Sequence, residues 1–219
     1  MVVCRANLAS AMYRVPFAFC VLTVFAAAPS QGQIGSAYCF GTGCPCGNDD
    51  AAAGCGNHGF DADVTTGALL SASGSADLFA DDLSLTVSGV DRGQFGLSLM
   101  GSASAGVPAG DGILCIGAGA SGLWRFPVFK ADPSGQFSLL NPVTFSQGFG
   151  AGGQILSGST WGFQAWYRDP KGPCGTGANF SNALDVTFEA PGTSAPTRAQ
   201  LAGNKLSVYP YFEYIASIN

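Results

Sequence analysis

The sequence predicts an all-β protein, an antiparallel β-sandwich of jelly-roll type behind an N-terminal disulfide-rich loop. Three observations carry this. From Ala68 onward, short segments alternate apolar and polar residues with period two and are separated by Gly, Pro, Asp and Ser. No segment sustains the 3.6-residue period of an amphipathic helix. The 219 residues include 32 Gly and 16 Phe, which suits tight turns that need positive φ and a core built from bulky side chains.

The elements follow in order. Leu83, Leu85 and Val87 alternate with Ser84, Thr86 and Ser88, and Phe95, Leu97 and Leu99 alternate with Gly96 and Ser98. Each pattern places the larger side chains on an inward face and the smaller ones toward water. Ile113–Ile116 is a short apolar run. Trp124–Phe129 is an aromatic strand whose Pro127 marks an edge or a bulge, because proline cannot donate to a ladder. Asp132-Pro-Ser-Gly135 is a turn leading into Phe137–Leu140. Trp161, Phe163 and Tyr167 share one face of the next strand, the first two facing the core and Tyr167 lying at that face's edge. Gln164, Trp166 and Arg168 take the polar face, so Trp166 is expected to be the more exposed tryptophan. Leu184, Val186 and Phe188 close a set of about eight strands. Ala51–Ala53 has room for one helical turn.

Ahead of this domain, Val15–Ala28 is uncharged and apolar, follows Arg14, and is shorter than the ~20 residues that span a bilayer. It reads as a secretory signal rather than a membrane anchor, with Met12 a more typical start than Met1 and cleavage placed after Gly32. Cys20 lacks the small neighbours of a lipid-attachment site. The organisation is then a signal peptide over 1–32, a cystine-rich loop over 33–67 and a sandwich over 68–190. Residues 191–219 form a linker and the start of a second, truncated domain. The chain carries 9 Lys+Arg against 14 Asp+Glu. With Arg5 and Arg14 removed the balance is −7, which disfavours nucleic acid and anionic lipid as partners.

Six cysteines remain after the signal: Cys39, Cys44, Cys46, Cys55, Cys115 and Cys174. An even number in an exported chain implies disulfides. Locality groups the first four together and leaves Cys115 to pair with Cys174. Cys44 and Cys46 are too close to bridge each other easily, so each bonds outward. Cys44, Cys46, Cys55 and His58 also offer a tetrahedral zinc set, but their spacing is irregular and an oxidising compartment favours disulfides. The sequence therefore implies no metal and no cofactor.

Catalytic motifs are weak. His58 is the only histidine and lies in a Gly/Cys-rich loop, and no G-x-S-x-G elbow occurs. Gly117-Ala-Gly-Ala-Ser-Gly122 spells a dinucleotide fingerprint, but a strand follows it where that site needs a helix. The clusters Asn48-Asp-Asp50, Asp61/Asp63 and Asp77/Asp81/Asp82 match no calcium loop and read as solvated turn carboxylates. Asn179-Phe-Ser181 is a glycosylation sequon. Trp124, Trp166 and Tyr167 offer a sugar-stacking platform, with Arg168 beside it; core packing is the competing role for these aromatics. No residue qualifies as catalytic.

Several stretches together resemble an uncharacterised exported domain of large secreted or surface proteins from planctomycete-type bacteria. They are Tyr38-Cys-Phe-Gly41 with Cys44-Pro-Cys-Gly-Asn48, Gly110–Cys115, Phe126-Pro-Val128, Gly158–Trp161, Trp166-Tyr-Arg-Asp-Pro170, and Cys174 leading into Asn179–Phe188. The resemblance spans residues 38–190. It implies export, disulfides and a β-rich fold, and it carries no activity. The expected function is a non-catalytic extracellular module with a structural or adhesive role. A carbohydrate-binding module and a carboxylate-dependent hydrolase are the alternatives. Surface glycan or other extracellular protein modules are the candidate partners.

Because Pro191–Pro196 reads as a linker without large apolar anchors, removal of 191–219 is expected to leave the melting temperature of the sandwich nearly unchanged. Calorimetry on the two chain lengths checks this, and a drop of many degrees would make the tail an integral strand.

Overall fold

The computed structural model describes residues 34–58 and 66–189. The signal segment 1–32, residue 33, the Asp61/Asp63 cluster, residue 190 and the tail 191–219 lie outside the described residues. Within them the strands run β1 (Ser36–Tyr38), β2 (Leu69–Ser73), β3 (Ser84–Ser88), β4 (Phe95–Gly101), β5 (Ala103–Ala109), β6 (Gly112–Gly117), β7 (Leu123–Lys130), β8 (Phe137–Leu140), β9 (Thr160–Asp169) and β10 (Gly177–Thr187). A short helix α1 (Pro142–Ser146) and a single 3₁₀ turn (Ala151–Gly153) separate β8 from β9. Ala51–Ala53 forms a turn and not a helix.

The strands build an antiparallel sandwich. A five-stranded sheet has the order β1-β10-β9-β4-β7, and a three-stranded sheet has the order β2-β3-β8. The ribbon β3–β4 pairs along β7–β8 and crosses with it from the small sheet to the large one, the rolled ribbon of a jelly roll. The main core lies between these sheets, with Leu70, Leu85, Leu139, Phe163, Tyr167 and Leu184 fully enclosed. The hairpin β5–β6 forms a third layer. It packs on the outer face of the large sheet over a second cluster of Leu99, Cys115, Ile116, Phe180 and Ala183.

This third layer changes how β9 reads. Trp161 and Phe163 face the core as the alternation predicts. Tyr167 is fully buried, not at an edge, because the loop before β2 closes over it and the Asn57 amide donates to its hydroxyl at 2.8 Å. Gln164, expected on a wet face, is also fully buried under β6. Its amide donates to the Ile113 and Ser181 carbonyls at 2.9 and 2.7 Å, and its oxygen accepts the Cys115 N–H at 2.8 Å. Every polar group of that side chain is thereby satisfied, as burial requires.

Strand β4 reverses the expected orientation. Ser98 and Met100 are fully buried in the sandwich, while Phe95 points outward and is 53% exposed. The cause is steric. The Phe137 ring stands 2.6 Å from where a Cβ on Gly96 would be, so only glycine lets that ring approach β4. The small residues of this strand make room for aromatics of the opposite sheet, and its large residues turn to the outer face.

Two bulges matter. In β7, Arg125 pairs with Leu99 and Val128 with Leu97, so the two residues Phe126 and Pro127 oppose the single Ser98. Proline thus sits at a bulge and on the sheet edge together. In β10, Phe180 pairs with Trp166 and Ala183 with Gln164, which leaves Ser181 and Asn182 together opposite Ala165. The Ser181 hydroxyl accepts the Ala165 N–H at 2.9 Å. Asn182 accepts the Leu70 N–H at 2.7 Å and donates to the Leu70 carbonyl at 3.2 Å, replacing a strand partner between the two sheets.

All six cysteines are bridged, but not as locality suggested. The pairs are Cys39–Cys115, Cys44–Cys55 and Cys46–Cys174. The expected Cys115–Cys174 bridge and the self-contained N-terminal knot are both incorrect, although Cys44 and Cys46 do bond outward. The loop 39–55 is a strap that reaches the hairpin at one end and the β9–β10 connection at the other. Loop closure costs grow only with the logarithm of loop length, so sequence separations of 76 and 128 are little disfavoured relative to 11. The same bridges consume three of the four groups of the alternative zinc set.

Non-reducing peptide mapping is expected to recover these three pairs. The Cys39→Ser/Cys115→Ser variant should lose about 4 kcal/mol in urea unfolding, the chain-entropy value for a loop of this length. A peptide linking Cys115 to Cys174 would overturn the assignment.

Candidate binding cleft and a buried carboxylate pair

The outer face of β7, β4 and β9 carries the candidate site. Leu97 lies between Val128 and Trp166 in register, and Leu99 lies between Arg125 and Gln164. Beside this floor rise Leu114 of the hairpin, Leu123 of β7 and Phe180 of β10, enclosing a cleft of about 370 Å³. That volume falls within the range of small-ligand sites. Trp166 is half-buried in it, and Arg125 is the only charged lining residue among those described. The strip extends past the cleft to Val128, 59% exposed, and to Phe95.

The aromatic platform expected of Trp124, Trp166 and Tyr167 does not form, because β7 and β9 present these residues to different faces. Trp124 pairs with Met100 on the core side, where its ring stacks on Phe149 at 5.2 Å and its indole N–H donates to the Ser121 carbonyl at 2.9 Å. Tyr167 is enclosed in the same core. Arg168 is exposed on the face of Trp166 but does not line the cleft; Arg125 takes that place. Sequence reasoning missed Arg125, Leu97, Leu99, Leu114, Leu123 and Phe180. The available signal was a strand with Gly and Ser on its other face, which permits either orientation.

A second polar locus lies where the cystine strap meets the β9–β10 connection. Asp111 is fully buried. Its carboxylate accepts the N–H groups of Cys174 and Thr176, both at 3.1 Å, and the Thr176 hydroxyl. Asp169 is also fully buried, and one of its oxygens accepts the His58 N–H at 3.3 Å. Its Oδ2 has no hydrogen-bond partner. The two Oδ2 atoms converge on Gly172, both within clashing distance of where a Cβ there would stand. Burial raises the pKa of Asp169, and the Asp111 carboxylate adds to the rise against the opposing His58 N–H and Asn179 amide. Both side chains are fully buried and close-packed against Gly172.

The other expected loci are structural. Asp49, Asp50, Asp77, Asp81, Asp82 and Asp132 each accept backbone N–H groups of nearby turns or of α1. At Asp132 the Ser134 hydroxyl and the Gln136 N–H lower the carboxyl pKa. Gly117 ends β6 and Ala118–Gly122 is the connection that leads into β7. Asn179 of the sequon is fully buried, its amide donating to the Cys55 and Gly56 carbonyls. Among the described residues no group of three or more His, Cys, Asp or Glu side chains is placed to hold a metal ion. No helix among them is long and apolar enough to cross a membrane. No family model, curated protein or solved structure matches the chain.

The two buried aspartates are expected to respond differently to replacement by asparagine. Asp169 has a raised folded-state pKa, so the native protein binds its proton more tightly than the unfolded chain. That stability is present below the ordinary value near 3.8 and is lost as pH rises through the folded-state value. Asp169→Asn should therefore be more stable than wild type at pH 7 and should flatten the pH dependence. Asp111→Asn should cost roughly 2–3 kcal/mol, since two backbone N–H groups and a hydroxyl lose a charged acceptor. Urea unfolding across pH checks both; an Asp169→Asn protein less stable at pH 7 would show that Asp169 is held ionised.

Proposed function

We propose that the protein is a non-catalytic extracytoplasmic β-sandwich module with a structural or adhesive role, and that it meets its partner through the outer face of β7, β4 and β9. The observation that carries this is the apolar strip from Phe95 and Val128 to the cleft at Trp166, which two layers of the fold leave uncovered. Three disulfides fit an oxidising compartment outside the cytoplasm. The apolar run behind Arg14 supports secretion or surface display, and the resemblance to exported bacterial surface domains points the same way. A non-catalytic role is favoured by the engagement of Asp49, Asp50, Asp77, Asp81, Asp82 and Asp132 with loop N–H groups and by the burial of Asp111 and Asp169. The carbohydrate-binding alternative now rests on Trp166 alone, because Trp124 faces the other way.

The test is retention of the purified, exported full-length chain on cell-envelope fractions and on a glycan array. Wild type is expected to be retained on envelope material, with a loss of at least tenfold in Trp166→Ala and in Val128→Glu. Glycan-array binding that disappears with Trp166→Ala would favour the carbohydrate reading instead. Turnover of glycoside or ester substrates that is abolished by Asp169→Asn would overturn the non-catalytic one.

A further inference from the structure

We propose that the cleft at Trp166 binds a small amphiphilic monoanion: an alkyl or aryl body carrying one carboxylate-type head, with Arg125 as the head's partner. This rests on the reading of the outer face as the contact surface and goes on to name what the cleft holds.

The lining decides the body. Leu97 and Leu99 form the floor, Leu114 and Leu123 two of the walls, and the Trp166 and Phe180 rings the others. None of these side chains offers a hydrogen-bonding group except the indole N–H of Trp166. A polyol entering the cleft would surrender water from several hydroxyls with few partners in return, and each unpaired group is costly. A hydrocarbon or aromatic body loses nothing of that kind and buries apolar surface against six apolar side chains.

The charge decides the head. Among the described residues Arg125 is the only charged group lining the cleft, and no ion pair among them engages it. A planar guanidinium grips a carboxylate with two parallel hydrogen bonds. The β7 bulge is what aims it. By placing two residues opposite one, it lets both Arg125 and Val128 face outward while Phe126 enters the core. Lys130 pairs with Phe95 on this same face, and Arg168 follows Trp166 on it by the alternation of β9. Three exposed cations on one sheet face of a chain with formal net charge −5 form a local positive field that draws an anion inward.

The cleft is also pre-formed. Leu114 precedes Cys115, which is bridged to Cys39 and whose N–H is held by buried Gln164. The wall is thus pinned from both sides, and little ordering is needed on binding.

The test uses the full exported chain with sodium octanoate as probe, with octan-1-ol and octylamine as neutral and cationic comparators, followed by calorimetry and tryptophan fluorescence. Octanoate is expected to bind saturably and at least tenfold more tightly than either comparator, and to weaken with added salt. Arg125→Gln should bring octanoate to the level of octan-1-ol, Arg125→Lys should keep a reduced preference for the anion, and Leu97→Trp should remove binding of both. Octanoate binding no tighter than octan-1-ol in the wild-type chain, a comparison that needs no variant, overturns the inference. If octanoate fails while Trp166→Ala still abolishes envelope retention, the ligand class falls and the contact surface stands. If octanoate binds through Arg125 while Trp166→Ala leaves retention intact, the contact surface falls and the ligand site stands.

Discussion

The middle of β9 and of β10 is covered on both faces, and most of the structure follows from that constraint. A sandwich strand ordinarily presents one face to water, where its polar residues need no protein partner. Here the β5–β6 hairpin removes that freedom. Each polar side chain in the middle of these strands must be matched to a particular donor or acceptor. Gln164 spends its whole amide on β6 and β10, and Asn182 serves Leu70 as a substitute strand neighbour. Asn179 holds the strap at Cys55 and Gly56. Such groups are expensive when orphaned, so they fix which loops and layers lie against the pair.

The disulfides act on the same geometry rather than on the strap alone. Cys39–Cys115 ties the end of β1 to the hairpin, and Cys46–Cys174 ties the strap to the β9–β10 connection. Asn48 reinforces the second tie by donating to the Gly56 and Asp111 carbonyls. Asp111 then organises the Cys174 loop with its carboxylate. Covalent bridges and buried polar contacts converge on two places, the hairpin seat and the Cys174 loop. The cost concentrates there as well: Asp169 is buried beside Asp111 with an oxygen unmatched.

The cleft is a by-product of how the main core is filled. Phe137 and Tyr167 occupy space that larger residues on the inner face of β4 would need, so Gly96 and Ser98 turn inward. The apolar side of β4 then faces out, where the hairpin covers Leu99 but stops short of Leu97 and Phe95. The β7 bulge adds Arg125 to that face. An apolar recess with a single cation results from core packing, a short third layer and one irregular strand pair acting together.

The amino-acid sequence by itself determined the all-β class, most of the strands, the bulge or edge at Pro127, the turn at Asp132, the register of Trp161 and Trp166, and the outward bonding of Cys44 and Cys46. All of these depend on neighbours within a few residues, where period-two alternation and turn chemistry act directly. It did not reveal β1, β2 or β5, which are short or mix small residues with little alternation. Only the tertiary structure decided the cystine pairing, the burial of Gln164 and Tyr167, the inversion of β4 and the separation of Trp124 from Trp166. Each of those depends on which surface a distant segment covers. An alternating strand states that its two faces differ, but only the layers packed on either side decide which face is inside.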